Sequence, residues 1–391
     1  MKNRNYSPFF LAIPSIIVVL FLLIVYLGQI QLSIRSAFFY VPLMVLFIFS
    51  IFVNMGKANK LLWIAMLMCL MFTLNSKLYK TDDDILSVVI HIWFWVFPFS
   101  FAQLINKEYD KKMICVVLVV VYLAISVFLY SKYIHFDYSE SNKFYEITTI
   151  YYLILALPFI MTIKTKLIKY PLVLLIFLAG FFSFKRNAIL VLGVILLLYL
   201  LRGGIKKIAK KIVLFSAIIA LSIVILVAFR IVSFDQMYSI WIHRFTSSDT
   251  MLGSRGEVYV EVLDLLTESS PFELLFGHGY NAVMSYTTSG LSAHNDFLEV
   301  LFDYGLIPFV IYIYFIVKLI LHYIKMRKSH DNNSFAFLCS LSIFIVLSLF
   351  SHLIIYPTYF LLLSMFWGWI LPSKKYKNHA NKFASFCSQT K

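Results

Sequence analysis

The segment AHNDFLEVLFDYGL, residues 293–306, places one histidine, His294, beside three carboxylates in a chain that is otherwise strongly apolar. A neutral imidazole can take a proton from a hydroxyl group, and such general-base catalysis is typically worth roughly 10²–10⁴-fold in rate. The acids Asp296, Glu299 and Asp303 are spaced i, i+3 and i+7, so a helix would carry them on one stripe. His294 is therefore a candidate general base, and the alternative is a histidine that only caps the start of this helix.

Several cations in the polar segments could bind an anion. Lys185 and Arg186 stand in a short turn, SFKRNAIL, where they could bind an anionic substrate headgroup or extend to lipid phosphates. Arg255 lies in the first turn of a predicted helix, where unpaired N–H groups and the helix dipole favour an anion. The alternative for Arg255 is a surface pair with a nearby acid such as Glu257. Arg244, in IWIHRF, is a weaker candidate because it could cap an interfacial amphipathic helix.

The motif FGHGYN forms a further candidate site. Gly277 and Gly279 flank His278, and such a turn can present backbone N–H groups to an oxyanion or phosphate, although most glycines of this kind only form a turn. A metal site built from His278, His294 and Asp296 matches no compact ligand spacing, so the sequence predicts no metal. The four cysteines also lack the spacing of a metal site or a disulfide framework.

Membrane spans must position these residues. The chain of 391 residues is 61% hydrophobic and 14% charged, with a mean hydropathy of +0.85. Soluble domains are nearer half apolar and a quarter charged, so the composition indicates an integral membrane protein. Because apolar runs recur from end to end, the fold class we predict is all-α, with a single polytopic membrane domain over residues 1–391.

The apolar runs predict about twelve transmembrane helices. They lie near residues 9–27, 37–53, 61–74, 85–102, 113–130, 147–163, 171–184, 188–201, 212–230, 300–321, 335–352 and 354–371. With both termini in the cytoplasm and an uncleaved first span, the inner segments carry 24 of the 34 Lys and Arg residues and three of the 19 acids. The net charge of +15 is then a signal of topology and of contact with anionic lipid, and no nucleic-acid partner is expected.

One long segment interrupts the spans. Residues 231–299 form a predicted outer, periplasmic loop, whereas residues 372–391 form a cytoplasmic tail. Ser254 and Glu257 have the spacing of a capping box, and the helix that follows is predicted to end at Ser269-Ser270-Pro271. A second helix is predicted to start near Ala293. Loops of this length usually carry function, so we expect this one to hold part of an active site.

The order of these motifs resembles the signature region of a known family. The stretch GSRGEVYVEVLDLLTESSPFELLFGHGYN, followed after a variable stretch by AHNDFLEVLFDYGLIPF, is similar to that of the O-antigen polymerase and ligase superfamily. SFKRNAIL resembles the Ser-Arg-containing turn of the family, with Lys185 where serine is commoner. Tyr259 stands where the family often has a tryptophan.

The resemblance implies a GT-C-like membrane glycosyltransferase that uses an undecaprenyl-diphosphate-linked glycan, inverts the anomeric centre and needs neither metal nor other cofactor. Arg186 and Arg255 would hold the diphosphate and stabilise its developing charge. His294 would activate the acceptor hydroxyl or contact the phosphate. The residues predicted to bind substrate around these three are Lys185, Arg244, Gly277, His278, Gly279 and Asn295.

Three functions remain open. We favour a polymerase of lipid-linked repeat units over a ligase that transfers the glycan to lipid A-core. A flippase or exporter of lipid-linked oligosaccharides is disfavoured because the predicted spans carry no acid near their middle. The expected partners are a lipid-linked glycan donor and acceptor and membrane lipid. A chain-length regulator protein is a further candidate partner. The expected location is the bacterial inner membrane, with the active site facing the periplasm.

Overall fold

The computed structural model describes residues 59–78, 85–103, 150–183, 185–202, 254–354 and 357–371. Every regular element within these ranges is helical. The helices that precede the loop are α1 (Lys60–Leu78), α2 (Ile85–Trp93), α3 (Val96–Ala102), α4 (Ile150–Thr162), α5 (Lys166–Phe182) and α6 (Arg186–Leu201). The loop and the final spans contain α7 (Ser254–Glu268), α8 (Pro271–Phe276), α9 (Ala282–Tyr286), α10 (Asp296–Glu299), a π-helical segment (Val300–Tyr304), α11 (Leu306–Lys328), α12 (Ser334–Phe350) and α13 (Pro357–Ile370).

Helix α11 is the one described helix that is long and apolar enough by itself to cross a membrane. Its 23 residues correspond to about 35 Å, against a hydrocarbon core of roughly 30 Å. Shorter apolar helices lie at Lys60–Ser76, Ile150–Thr162, Arg186–Leu201, Ser334–Phe350 and Tyr359–Ile370. The spans predicted near 9–27, 37–53, 113–130 and 212–230, and the tail at 372–391, lie outside the described residues, so the count of twelve stays a prediction.

Two helices expose continuous apolar stripes, as lipid-facing helices do. On α11 the exposed side chains follow a helical spacing and comprise Leu306, Val310, Tyr314, Val317, Leu321 and Ile324. On α1 they comprise Trp63, Leu67, Leu70 and Leu74. Exposure of so much apolar surface on one face of each helix would be costly in water, and it agrees with the predicted spans.

The span predicted as one helix near 85–102 is interrupted. Helix α2 ends at Trp93 and α3 begins at Val96. Pro98 explains the break, since it has no N–H for the carbonyl group of Phe94 and its ring would collide with that carbonyl in a continuous helix. Trp95 lies within this break, and its carbonyl accepts a hydrogen bond from the hydroxyl of Ser364 on α13 at 2.7 Å.

Packed aromatic rings join α12, α13 and the break between α2 and α3. Trp367 of α13 has an edge-to-face contact with Phe344 of α12, with ring centroids 5.3 Å apart, and its indole N–H donates to the hydroxyl of Ser340 at 2.9 Å. The ring of Phe360 lies 4.6 Å from that of Trp95. Aromatic pairs in these geometries add about 0.5–1.5 kcal/mol each beyond their buried area, so they stabilise the packing of these helices.

Two contacts give the relative direction of α6 and α12. At one end of α6 the side-chain amide of Asn187 donates to the carbonyl of Phe350, and at the other end the Arg202 guanidinium lies 5.1 Å from the Phe335 ring centre. Helices α6 and α12 are therefore antiparallel. This pairing brings the SFKRNAIL turn to the C-terminal end of α12.

Within the loop, α7 begins and ends where the local signals predict. A capping box is formed at the start of α8, where the N-cap Ser270 lies two residues after the end of α7. The side chain of Ser254 is outside the described part, so the capping box predicted there stays a prediction. Ser270 accepts a hydrogen bond from the Glu273 N–H at 3.3 Å, and the Glu273 carboxylate accepts one from the Ser270 N–H at 2.8 Å. Ser269-Ser270-Pro271 therefore ends one helix and starts another, which the sequence analysis did not predict.

Candidate functional site

The turn between α5 and α6 carries the two predicted cations. The Ser183 hydroxyl donates to the Gly180 carbonyl at 2.7 Å and accepts from the Lys185 N–H at 3.2 Å, which shapes the turn. Lys185 is the N-cap residue of α6, and Arg186 is its exposed first residue. Because the dipole at a helix N-terminus favours anions over cations, this placement suits a turn that binds a negative ligand.

The C-terminal end of α12 connects this turn to His294. Asn187 bonds to the carbonyl of Phe350, and the chain continues through Ser351 to His352. The rings of His352 and His294 lie 4.0 Å apart, with an interplanar angle of 43°. The structure thus brings the Arg186 turn and His294, which are far apart in sequence, to the same end of the helix bundle.

The His294 turn, residues 292–295, has an unusual backbone. His294 has φ 53°, a left-handed conformation that residues other than glycine adopt uncommonly, and its N–H donates to Oε1 of Glu299 at 3.0 Å. Asn295 is the N-cap of α10, since its side-chain oxygen accepts from the N–H groups of Phe297 and Leu298 at 3.0 and 3.2 Å. The capping role that was the alternative for His294 therefore belongs to Asn295, whose binding to substrate remains a prediction.

A second histidine, His352, was missed by the sequence analysis. Its Nε2 lies 3.1 Å from the hydroxyl of Ser292, and its Nδ1 lies 3.7 Å from Oε2 of Glu299. His352 and Glu299 are both buried, at 8% and 2% relative side-chain exposure. The sequence signal is the polar pair Ser351-His352 in a short linker between two apolar helices. Its proximity to His294 could be found only from the fold.

The three carboxylates near His294 fasten different segments of the chain. Both oxygens of Asp296 accept from the Leu353 N–H at 3.1 Å, and one also accepts from Ile354 at 3.3 Å. Asp303 accepts from the N–H of Val283 at 3.0 Å, which ties α9 to the π-helical segment. Together with Glu299, these acids are buried and hold the loop to the ends of the helices.

Burial changes how readily two of these acids ionise. It raises the pKa of Asp296 from 3.8 to about 8, against the opposing effect of the N–H groups of Leu353 and Ile354. It also raises the pKa of Glu299 from 4.5 to about 8, against the N–H groups of His294 and Ala293. Both carboxyl groups therefore hold their protons at neutral pH for most of the time.

The His278 turn, residues 277–279, uses its backbone donors within the protein. The N–H groups of Gly277, His278 and Gly279 donate to the carbonyls of Glu273, Phe302 and Asp303, at 2.7, 3.0 and 2.8 Å. The predicted presentation of these donors to an oxyanion is therefore wrong for this conformation. The glycines serve close packing instead, because a Cβ at Gly277 would overlap the backbone of Asp303.

The His278 side chain is also part of this packing. Its Nε2 lies 3.1 Å from the Ser269 hydroxyl and its Nδ1 lies 3.1 Å from the Phe302 carbonyl. The imidazole stacks on the Phe302 ring at 4.2 Å, with an interplanar angle of 9°. The side chain that was predicted to bind substrate thus joins α7, α8 and the π-helical segment.

Two further predicted residues lie partly or wholly outside the described structure. Arg244 falls in the part of the loop that is not described. Arg255 lies in the first turn of α7, but its side chain is outside the described part. Val258, one turn later, shares a buried cluster with Ala293, so α7 packs against the residue that precedes His294.

Among the side chains that the structure describes, no group of three or more His, Cys, Asp or Glu residues converges as a metal site. His278 and His294, which the sequence analysis considered together as ligands, make separate contacts with Phe302 and His352. The described site is a group of histidines and buried carboxyls beside a turn with two cations.

Comparison with known proteins gives a family match for part of the chain. No curated protein matches the chain. Residues 171–313 match the family model for O-antigen ligase, a region that runs from α5 into α11 and includes Arg186, Arg255 and His294. This match over part of the chain supports the resemblance to the O-antigen polymerase and ligase superfamily, a family of membrane proteins.

Proposed function

We propose that the protein is a membrane glycosyltransferase of the O-antigen polymerase type, which joins oligosaccharide repeat units carried on undecaprenyl diphosphate. The observation that carries this proposal is the meeting of the Arg186 turn with His294 at the end of α12, through the contacts Asn187–Phe350 and His352–His294. An anion-binding turn beside a histidine suits a reaction that takes a proton from one group and releases a diphosphate from another.

In the proposed reaction, the acceptor hydroxyl oxygen attacks the anomeric carbon of the donor and forms the new glycosidic bond. The bond from that carbon to the diphosphate breaks, and its electron pair leaves with the diphosphate. The hydroxyl proton passes to His294, the general base. Attack on the face opposite to the leaving group inverts the anomeric centre.

Arg186 and Arg255 are proposed to bind the leaving diphosphate, with Lys185 as a further cation at the turn. Guanidinium groups form paired hydrogen bonds with phosphate oxygens, and charges fixed before the reaction stabilise the negative charge that develops as the bond breaks. These residues would supply the positive charge that the departing diphosphate requires, so the proposed reaction is independent of a divalent metal.

A ligase is the second candidate, because the matching family model is described as O-antigen ligase, although the match does not distinguish a ligase from a polymerase. A ligase would use the same donor, the same cations and the same base, with lipid A-core in place of a second lipid-linked unit as acceptor. The two functions therefore differ in the acceptor site rather than in the residues described above.

Deletion of the gene, followed by electrophoresis of the surface polysaccharide, tests the proposal. A polymerase predicts loss of all bands beyond one repeat unit and recovery when the gene is returned on a plasmid. Polymer that persists on its lipid carrier but is missing from lipid A would identify a ligase. An unchanged ladder would contradict both candidates.

A further inference from the structure

We propose that His352 and Glu299 are positioning residues for His294, which hold its imidazole and its backbone in place when it takes the acceptor proton. This inference rests on the proposed function, in which His294 is the base. It adds two residues that lie behind the base and do not touch the substrate. The step itself is unchanged: the hydroxyl proton moves to His294 and the diphosphate leaves with the bonding electrons.

The first support is the way in which His352 is held. Ser292 and Glu299 lie on opposite sides of its ring, at 3.1 Å from Nε2 and 3.7 Å from Nδ1. Both contacts come from segments that flank His294 in the chain, although His352 itself lies 58 residues further on. A ring that is hydrogen-bonded at Nε2 and lies close to Glu299 at Nδ1 gives the His294 imidazole, 4.0 Å away, a defined surface to pack against.

The second support is the double role of Glu299. Its Oε1 accepts the backbone N–H of His294, while its Oε2 faces the ring of His352. His294 has a left-handed backbone, and the hydrogen bond from its N–H to Glu299 holds it in this conformation. One buried carboxyl group therefore sets the backbone of the first histidine and the ring of the second.

The third support is electrostatic. Protonation of His294 puts a positive charge 4.0 Å from the centre of the His352 ring, so a second charge on His352 would oppose the reaction. A neutral His352 instead presents a polarisable ring face to that charge. We expect the contact with Ser292 to keep His352 in this orientation during the reaction.

The test uses the full-length protein, purified in detergent, with its lipid-linked repeat unit as substrate. His352→Phe keeps a ring of similar shape and removes both nitrogens, whereas Glu299→Gln keeps an acceptor for the His294 N–H and removes the ionisable group. We expect each to lower kcat by at least about tenfold and to change KM by less than about twofold, because positioning acts on the reacting geometry. His352→Gln, which can still reach Ser292, should recover part of the loss.

A double variant distinguishes a shared role from two separate ones. If Glu299 acts through His352, the variant with both changes should be no less active than the less active of the two single variants. His330→Asn is the matched control, since His330 is an exposed histidine with a left-handed backbone in the α11–α12 turn, and it should retain the wild-type kcat. Activity is expressed per mole of protein that elutes as a single species, so a lower yield does not count as a loss of catalysis.

The outcomes separate the two proposals. Wild-type protein that joins no repeat units, or His294→Ala that remains fully active, would overturn the proposed function. An inactive His294→Ala together with wild-type kcat in both His352→Phe and Glu299→Gln would overturn this inference alone. A fall in yield with an unchanged kcat would likewise show that His352 only fastens the loop to α12.

Discussion

The loop contains two turns that each carry a histidine, and these turns differ in structure. His278 lies between two glycines, is 8% exposed, and has both ring nitrogens near fixed protein oxygens at 3.1 Å. His294 is half-buried, with its backbone held by Glu299 and its ring against another histidine. The ring of His278 is packed between three elements of the fold. Burial and partners, rather than the motif, therefore separate the candidate base from the structural residue.

The largest expected effect comes from exchanging each histidine for alanine. His294→Ala should eliminate long glycan chains, with a fall in kcat of roughly 10²–10⁴-fold and normal protein levels, because the base is lost while the fold remains. His278→Ala should leave kcat per folded molecule within about threefold of wild type and lower the free energy of unfolding by about 2–4 kcal/mol, through lost stacking and hydrogen bonds. Gel analysis of polysaccharide and thermal unfolding of purified protein measure the two effects. Full-length chains from His294→Ala would contradict its role as the base, and a stable but inactive His278→Ala would contradict the structural role of His278.

Signals local in sequence predicted much of this loop. The start and end of α7 follow from a Ser-x-x-Glu spacing, an apolar stripe and a terminating Ser-Ser-Pro. The same reasoning placed Asp296, Glu299 and Asp303 on one stripe, and the structure adds that all three are buried. Their burial could not be predicted, because buried acids need hydrogen-bond donors, and some of these donors, such as the Leu353 N–H, come from distant parts of the chain.

Tertiary contacts account for what the sequence analysis missed. His352 lies in a short linker where only the polar pair Ser351-His352 marks it, and its proximity to His294 arises because α12 ends beside the His294 turn. The N–H groups of the His278 turn were expected to face a ligand, but the carbonyls of Phe302 and Asp303 come close enough to accept them. The break before α3 is different, since Pro98 signals it in the sequence itself.

The second prediction concerns the glycines of the His278 turn. Gly277 has φ 81°, and a Cβ there would overlap the carbonyl of Asp303 and the backbone of Tyr304. Gly290 has φ 61° with open space around it, so it provides a matched control. We expect Gly277→Ala to lower the free energy of unfolding by more than about 3 kcal/mol and Gly290→Ala by about 1 kcal/mol, which is the cost of a left-handed backbone alone. Thermal unfolding in detergent measures both, and equal losses would mean that close packing at Gly277 contributes nothing.

The smallest expected effect is a difference in pH response between the two turns. Near His294, burial raises the pKa of Asp296 to about 8 from an ordinary 3.8. The folded state thus keeps a proton that the unfolded chain loses, and stability falls as pH rises between these values. Near His278, hydrogen bonds from Ser270 lower the pKa of Glu273, so its contribution is lost only as pH falls below the ordinary value of 4.5. Between pH 6 and 8.5 the first turn should therefore loosen while the second stays unchanged.

Hydrogen exchange at single amides can resolve this difference. The N–H groups of Leu353 and Ile354 donate hydrogen bonds to Asp296. Their protection against hydrogen exchange, corrected for the intrinsic rate, should fall by at least about tenfold between pH 6 and 8.5. The N–H groups of Leu274 and Gly277, bonded within α8, should keep theirs. Asp296→Asn should remove the pH dependence at Leu353 and Ile354, because the amide cannot ionise. If all four amides instead change together with pH, the loop opens as one unit, and the two histidine turns are not independent in stability.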